Sequence, residues 1–177
     1  MQFAAPGAVR LARELWEILR RKQGCTLSRL YRSPADEASW LAYSEWNSLA
    51  ELAGARREAA RSPLNRRLHA ALKASSERAY EPFGAVRSAH GINFASAPVA
   101  VVIDFLEEME QPEAALGFLA EAPGYLSHIL MHEVGKSKTL LCLAHFDTVH
   151  NAEQVAHALA EQPAVRDFKP AAELFMV

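Results

Sequence analysis

Trp46-Asn47-Ser48-Leu49 and Phe146-Asp147-Thr148-Val149 stand 100 positions apart and match residue for residue as conservative pairs. Each run joins a strand-like pattern to a helix-like one, so both mark the same kind of structural junction. At the same spacing the chain aligns from residue 24 to residue 68 without a gap, and Gly24 meets Gly124. Because the turn formers coincide together with the apolar residues, the sequence predicts an internal repeat.

The predicted elements follow the same order in both halves of the chain. The first half has a stunted strand over 1–5, a helix opened by Pro6-Gly7, strands over 25–32 and 40–47, a helix over 49–61, a helical stretch over 64–74 and a strand-like segment over 80–89. The second half has strands over 99–106, 125–133, 139–146 and 172–177, helices over 112–122 and 152–160, and a turn over 134–138. These elements follow from hydrophobic periodicity and turn residues. Each half is therefore predicted to be β-α-β-β-α-β, the ferredoxin-like order.

The predicted fold class is α+β, with two fused ferredoxin-like repeats over residues 1–92 and 93–177. The segment 90–98, rich in turn formers, is the predicted linker. A four-stranded sheet with helices on one face leaves its other face bare, and two such sheets can cover each other. One chain then does what would otherwise need a dimer, which predicts a monomer or a weak homo-oligomer.

The composition is typical of a globular protein with a substantial core. The chain has 177 residues, of which 50% are hydrophobic, and its formal net charge is -2. This balance lacks the basic footprint of a nucleic-acid-binding protein. An arginine-rich run between residues 56 and 67 could face phosphates, but its alternation with alanine is more typical of a solvated helix face. We expect no nucleic-acid partner.

No segment of the sequence has the length of a membrane span. The longest apolar run, over residues 97–106, is interrupted by Asp104, whereas a bilayer-spanning helix needs about 20 residues. The first six residues lack the basic region and the apolar stretch of a secretory signal. We therefore expect a cytoplasmic protein with no membrane partner.

Neither the cysteines nor the histidines have a spacing typical of a metal site. Cys25 and Cys142 lie in strand-like segments without a CxxC partner, so free thiols are the simpler interpretation and a disulfide stays open. His128 and His132 lie four apart on a predicted strand, which separates them by about 13 Å. The sequence also lacks the GxGxxG, P-loop, GxSxG and HExxH motifs. The prediction is no metal and no cofactor.

The strand end Glu45-Trp46-Asn47-Ser48, which runs into a helix that stops at Ser62-Pro63, resembles the antibiotic biosynthesis monooxygenase family. Pro6-Gly7 and Gly24 are similar to the helix-start and post-helix glycine positions of that family. The resemblance covers most of both halves, and it implies an intrachain dimeric α+β barrel. Members of the family include cofactor-free quinone-forming oxygenases, heme-degrading monooxygenases and proteins of no known activity.

The chain departs from the heme-degrading branch of this family. That branch uses an asparagine on the first strand, a tryptophan partway along the second helix and a histidine at the end of that helix. Here residues 1–5 contain no asparagine and residues 53–60 no tryptophan, although His69 lies downstream. The resemblance therefore argues against heme degradation. Heme binding stays open, with His132, Met131 or His145 as an axial ligand.

Glu45 and His145 occupy equivalent positions on two of the matched strands. On both strands the odd positions become polar toward the helix junction, while the even positions are mostly apolar or small. Under a pseudo-twofold arrangement the two side chains would approach each other, and either could take a phenolic proton. We predict Glu45 and His145 as catalytic residues. The predicted ligand contacts are Tyr43, Trp46, Asn47 and His132.

The resulting hypothesis is a pocket protein that oxygenates a small quinol-like or aromatic compound without a metal or a flavin. The substrate anion would itself activate dioxygen once the base had taken its proton. The alternative is a non-enzymatic ligand-binding or interaction protein with the same fold. In that case Glu45 and His145 would make a structural hydrogen bond or lie at an exposed edge, and Trp46 would be a packing residue.

Overall fold

The chain divides into two compact units, Met1–Ser76 with Val177 and Glu77–Met176. The computed structural model describes residues 2–3, 6–34, 36, 38–74, 78–82, 87–88, 97–105, 116–161 and 171–176. The boundary predicted between residues 92 and 93 lies outside this range, and so does most of the predicted linker. Both therefore stay predictions.

The first unit combines helices with antiparallel strand pairs. Its elements are β1 (Gln2–Phe3), α1 (Pro6–Arg20), β2 (Cys25–Arg32), β3 (Trp40–Trp46), α2 (Leu49–Arg61), α3 (Pro63–Ala71) and β4 (Leu72–Ala74). Strand β1 pairs with β4, and β2 pairs with β3. The predicted strand over 25–32 and the predicted helix over 49–61 are confirmed at both ends.

An apolar stripe on α1 forms the core of the first unit. Ala8, Ala12 and Leu15 recur at the spacing that keeps side chains on one face of a helix. They are buried against Trp40 of β3 and Leu68 of α3. The helical stretch predicted over 64–74 ends earlier than expected, at Ala71, because the last three residues pair with β1 as a short strand.

The second unit contains a sheet with the ferredoxin-like strand order. Its elements are β5 (Tyr80–Pro82), β6 (Arg87–Ser88), β7 (Val99–Phe105), a 3₁₀ turn (Gly117–Glu121), β8 (Tyr125–Glu133), β9 (Lys136–Phe146), α4 (Val149–Glu161) and β10 (Ala171–Met176). The strand order is β10-β7-β9-β8-β5, and all these neighbours are antiparallel. If β7, β8, β9 and β10 are numbered 1 to 4 in chain order, their order in the sheet is 4-1-3-2, that of a β-α-β-β-α-β unit. The described residues thus have an α+β fold, as predicted.

Three predicted elements that lie in the second unit differ from the structure. The strand-like segment over 80–89, predicted for the first half, contains two short strands, β5 and β6, and both pair with β8 of the second unit. The turn predicted over 134–138 shrinks to Val134 and Gly135, because a glycine at φ 81° allows the chain to reverse tightly between β8 and β9. The helix predicted over 112–122 is described only from Leu116 onward, where it is a 3₁₀ turn.

Strand β9 carries the centre of the second core on one of its faces. Cys142, Ala144 and Phe146 alternate along β9 and are fully buried. Together with Leu140 of the same strand, they pack against neighbouring strands, the 3₁₀ turn and α4 through Val99, Val101, Ile103, Leu116, Leu119, Leu130, Ala152, Val155 and Leu159. Both cysteines of the chain are free thiols, so no disulfide contributes to either unit. No helix among the described residues combines the length and the apolar character that crossing a bilayer requires.

The turn after α1 and the turn before β8 have the same local structure. Gly24 and Gly124 have φ values of 85° and 69°, a region that favours glycine. The carbonyl of Gly24 accepts a 2.8 Å hydrogen bond from the amide of Asn47. The carbonyl of Gly124 accepts a 3.0 Å bond from the amide of Asp147. Helices α2 and α4 follow these residues, and each has 13 residues.

The two hairpins also share their register at the spacing of 100 residues. In the β2–β3 hairpin Leu27 lies opposite Glu45, after an irregularity that follows Cys25. In the β8–β9 hairpin Ser127 lies opposite His145, after an irregularity that follows Tyr125. Each irregularity inserts one extra residue into the first strand, as a β-bulge does. Glu45 and His145 therefore have the same position within their own hairpins.

Candidate functional site

One face of the β2–β3 hairpin carries the polar groups predicted to do chemistry. Residues directly opposite each other in an antiparallel pair project from the same face. The register therefore places six residues on this face: Leu27, Arg29, Tyr31, Leu41, Tyr43 and Glu45. We call it the tyrosine face. The opposite face carries Leu30 and Trp40, which pack with α1.

Tyr43 and Glu45 make a direct hydrogen bond on the tyrosine face. The phenol of Tyr43 donates to Oε1 of Glu45 at 2.8 Å, and both side chains are partly buried. Burial raises the pKa of Tyr43 well above its usual range, and the negative charge of Glu45 and its hydrogen bond raise it further. Tyr43 is therefore a protonated donor at neutral pH. The structure brings these two predicted residues together.

Tyr31 and Arg29 belong to the same face and were missed by sequence reasoning. Tyr31 is fully buried, and its hydroxyl has no hydrogen-bond partner among the described residues. Burial raises the pKa of Tyr31, the positive charge of Arg29 lowers it and Glu45 raises it. Arg29 lies directly opposite Tyr43. The tyrosine face thus combines two phenols, a carboxylate and a guanidinium.

Trp46 and Asn47 do not share the tyrosine face. Trp46 lies opposite Cys25, and its indole nitrogen donates to the hydroxyl of Ser44 at 2.9 Å. Asn47 is exposed at the junction before α2, where its backbone amide bonds the carbonyl of Gly24. The structure therefore separates these two predicted ligand contacts from Tyr43 and Glu45.

His145 lies on the sheet face of the second unit that points away from α4. It is 1% exposed, and its Nδ1 lies 3.4 Å from the hydroxyl of Ser127. Ala100 of β7 flanks it on the other side. Sequence reasoning missed Ser127, because only the register of the hairpin places it opposite the imidazole. The predicted approach of His145 to Glu45 stays a prediction.

The two histidines of β8, His128 and His132, project from the face opposite His145 of β9. The Nε2 atom of His132 lies 3.5 Å from Oε2 of Glu81. His128 is buried, and its Nδ1 lies 2.8 Å from the hydroxyl of Tyr125. In the part of the chain that the structure describes, no group of three His, Cys, Asp or Glu side chains could hold a metal ion.

The fold as a whole is shared with solved structures. An anthrone oxidase-like protein matches with a TM-score of 0.67 and 16% sequence identity, over 99% of this chain and 87% of that chain. A proposed monooxygenase from Lactobacillus acidophilus NCFM matches with a TM-score of 0.59 and 9% identity, over 96% and 85%. A proposed monooxygenase from Fusobacterium nucleatum matches with a TM-score of 0.61 and 7% identity, over 99% and 88%. No family model and no curated protein matches the sequence. At these identities the likeness establishes a common fold.

Proposed function

We propose that the protein binds a small phenolic or quinone-like aromatic compound and oxygenates it with dioxygen, as a cofactor-independent monooxygenase. The observation that carries the proposal is the 2.8 Å bond from the Tyr43 phenol to Glu45. It places a carboxylate where it accepts from a phenolic O–H in a partly buried site. The names of the structural neighbours, an anthrone oxidase-like protein and two proposed monooxygenases, support the same class of chemistry.

Glu45 is the proposed general base. It takes a proton from the ring CH₂ of an anthrone-type substrate, which leaves a resonance-stabilised carbanion and a neutral carboxyl group. The carbanion transfers one electron to dioxygen, and the radical pair combines to a peroxide. The peroxide takes the proton back from Glu45 and loses water. One CH₂ group and one O₂ thus give one carbonyl group and one water, and the carboxylate is regenerated.

The other groups of the tyrosine face suit an anionic intermediate. Arg29 carries a positive charge on this face, and a guanidinium stabilises a nearby oxyanion. Tyr43 donates its one O–H to Glu45, so it fixes the orientation of the base, and its oxygen can still accept from a substrate O–H. In the second unit, His145 beside Ser127 is the second candidate base, at the position equivalent to Glu45. Substrate contacts by Trp46, Asn47 and His132 stay predictions.

We further propose that residues 1–92 and 93–177 are fused copies of one ferredoxin-like repeat. The equivalent glycines, the equivalent backbone bonds and the equal lengths of α2 and α4 support this interpretation. So does the shared hairpin register, including its irregularity one residue before Leu27 and Ser127. The intrachain barrel stays a prediction.

Oxygen consumption with anthrone and with substituted hydroquinones tests the proposed activity. The variants are Glu45→Gln and His145→Gln, which remove a base while keeping a polar side chain of similar size. Glu14→Gln is the matched control, because that carboxylate is exposed on α1 and bonds only Arg10 among the described residues. General-base catalysis contributes about 10²- to 10⁴-fold, so Glu45→Gln should lower kcat by at least about 100-fold.

The outcome separates the enzyme from a binding protein. Oxygen uptake that is lost in Glu45→Gln and retained in Glu14→Gln supports the proposal, provided both variants keep the melting temperature of the parent. Uptake that is unchanged in Glu45→Gln and lost in His145→Gln moves the site to the second unit. A melting temperature that rises with quinones while no oxygen is consumed supports the non-enzymatic alternative and overturns the proposal.

A further inference from the structure

The four tyrosines of the chain differ in what their hydroxyl groups contact. Tyr43 donates to the carboxylate of Glu45, and Tyr125 lies 2.8 Å from Nδ1 of His128. Tyr80 is instead 3.5 Å from the guanidinium of Arg78, which can only donate. Tyr31 has no hydrogen-bond partner among the described residues. Tyr43 thus has a proton acceptor in place, and so does Tyr125 in the tautomer of His128 that leaves Nδ1 unprotonated. Among the described residues, Tyr31 and Tyr80 have none.

A proton acceptor decides how easily a buried phenol loses an electron. The phenol radical cation formed by electron loss is a strong acid, and a cation in a poorly solvated site is costly. Where a hydrogen bond already leads to a base, the proton moves along that bond as the electron leaves. No cation then accumulates. Where the hydroxyl has no acceptor, or faces a guanidinium, this route is closed.

We propose that Tyr43 and Tyr125 are redox-active residues that donate single electrons to oxygen-centred radicals, with Glu45 and His128 as their proton acceptors, and that Tyr31 and Tyr80 are not. For an organic peroxyl radical the balanced step at Tyr43 is ROO• + Tyr43–OH + Glu45–COO⁻ → ROO⁻ + Tyr43–O• + Glu45–COOH. One electron reduces the radical, and one proton moves about the length of the hydrogen bond.

The physiological oxidant follows from the proposed function, and this part of the inference depends on it. A substrate anion that passes one electron to dioxygen creates a radical pair next to Glu45. When the pair fails to combine, superoxide leaves and the substrate radical adds a second dioxygen, which gives the organic peroxyl radical of the step above. That radical would oxidise the protein wherever the barrier is lowest. Tyr43, which shares its face with Glu45, would absorb that oxidation and could be returned to the phenol by an external thiol or ascorbate.

Photo-oxidation of the folded protein tests the redox assignment without any substrate. Flash-generated tris(bipyridine)ruthenium(III) removes one electron, and electron paramagnetic resonance distinguishes tyrosyl from tryptophanyl radicals. Phenylalanine replaces each tyrosine singly, and a double variant carries Tyr43→Phe and Tyr125→Phe. We expect the tyrosyl yield to fall in Tyr43→Phe and in Tyr125→Phe, to vanish in the double variant and to persist in Tyr31→Phe and Tyr80→Phe.

A second pair of variants keeps both phenols and removes only the acceptors. Glu45→Gln and His128→Gln should each slow formation of the corresponding radical by about tenfold or more, which is about 1.4 kcal/mol of activation free energy. These two variants test whether solvent exposure of the tyrosines, and not the proton acceptor, decides the rate of radical formation. Neither substitution is intended to change how exposed either phenol is. A tyrosyl signal that survives in the double phenylalanine variant overturns the proposal, and so do unchanged rates in both acceptor variants.

The redox proposal and the monooxygenase proposal fail in different experiments. Loss of the tyrosyl signal in the double variant, together with no oxygen uptake on any quinol, leaves the redox tyrosines established and ends the monooxygenase proposal. Oxygen uptake that depends on Glu45, together with an unchanged tyrosyl signal in the double variant, supports the monooxygenase proposal and overturns the redox proposal.

Discussion

The carboxylate of Glu51 lies directly against the α-carbon of Gly24, so closely that a Cβ at Gly24 would overlap the carboxyl carbon and both of its oxygens. Glu51 is held there by the capping interaction at the start of α2, where its Oε2 and its backbone amide each lie 3.2 Å from the hydroxyl of Ser48. The turn after α1 and the first turn of α2 are therefore coupled through one side chain.

Gly24→Ala should lower the free energy of unfolding by about 2–3 kcal/mol. A positive φ costs a residue with a Cβ about 1–2 kcal/mol, and displacing Glu51 from its cap adds about 1 kcal/mol. Urea unfolding followed by circular dichroism measures the change.

Gly135→Ala is the matched control, because Gly135 has nearly the same φ, 81° against 85°. Among the residues that the structure describes, no atom lies within 4 Å of the place that an alanine methyl group would take. The Gly135→Ala variant should therefore lose only the stability that a positive φ costs, about 1–2 kcal/mol. A double-mutant cycle with Glu51→Ala should remove the excess at Gly24. Equal losses for Gly24→Ala and Gly135→Ala would show that Glu51 is not coupled to the turn.

The two equivalent helix starts should respond alike to loss of their caps. The hydroxyl of Ser48 accepts from the amide of Glu51, and that of Thr148 accepts from the amide of Asn151 at 3.3 Å. Ser48→Ala and Thr148→Ala should each cost about 1 kcal/mol. Ser48→Thr and Thr148→Ser keep an acceptor and should be near neutral, as thermal unfolding would show. If Ser48→Thr and Thr148→Ser lose as much stability as the alanine variants, the side chains contribute through packing and not through capping.

Local signals were sufficient to predict the elements at these junctions. The run Trp46-Asn47-Ser48-Leu49 predicts the strand-to-helix junction at the start of α2, and Gly24 and Gly124 predict the turns that precede β2 and β8. Alternation along β3 predicts that Tyr43 and Glu45 share a face. The short strand β4 could not be predicted in this way, because residues 72–74 leave the helix only where β1 is present to pair with them.

Which residues lie opposite each other on two paired strands could not be predicted from the alternation along either strand, because the register of the pair decides it. Tyr31 joins the face of Tyr43 and Glu45 because the β2–β3 register, with its irregularity after Cys25, sets the relative phase of the two strands. The same reason applies to Ser127 beside His145. A pattern within one strand fixes its own two faces, and it leaves open which face of the neighbouring strand they join.

Equivalent positions in the two units should differ in their contribution to stability. Phe146 is fully buried at the centre of the second core, whereas Trp46 is partly exposed. Phe146→Ala should cost about 3–5 kcal/mol, the range for deleting a buried aromatic side chain. Trp46→Ala should cost less although its side chain is larger, because part of it is in water in the folded state already.

The conservative variants Phe146→Leu and Trp46→Phe separate packing from loss of the fold. Each should retain most of the stability, and chemical denaturation of all four variants would give the ranking. A larger loss at Trp46 than at Phe146 would contradict the burial pattern.

Stability should decline at alkaline pH, in part through Tyr43. The folded-state pKa of Tyr43 lies above its ordinary value of 10.0, chiefly because of burial and also because of Glu45. The folded protein therefore holds this proton more tightly than the unfolded chain. The stabilising contribution is complete below about pH 10 and is lost as the pH rises through the folded-state pKa. One such group can contribute a slope of up to about 1.4 kcal/mol per pH unit. Between about pH 10 and about pH 11, the free energy of unfolding of Tyr43→Phe should fall less steeply with pH than that of the parent, by up to that slope. The slopes due to Tyr31, Tyr80 and Cys142 remain in both proteins. Urea unfolding across this range measures both slopes, and parallel curves would show that Tyr43 ionises as it does in the unfolded chain.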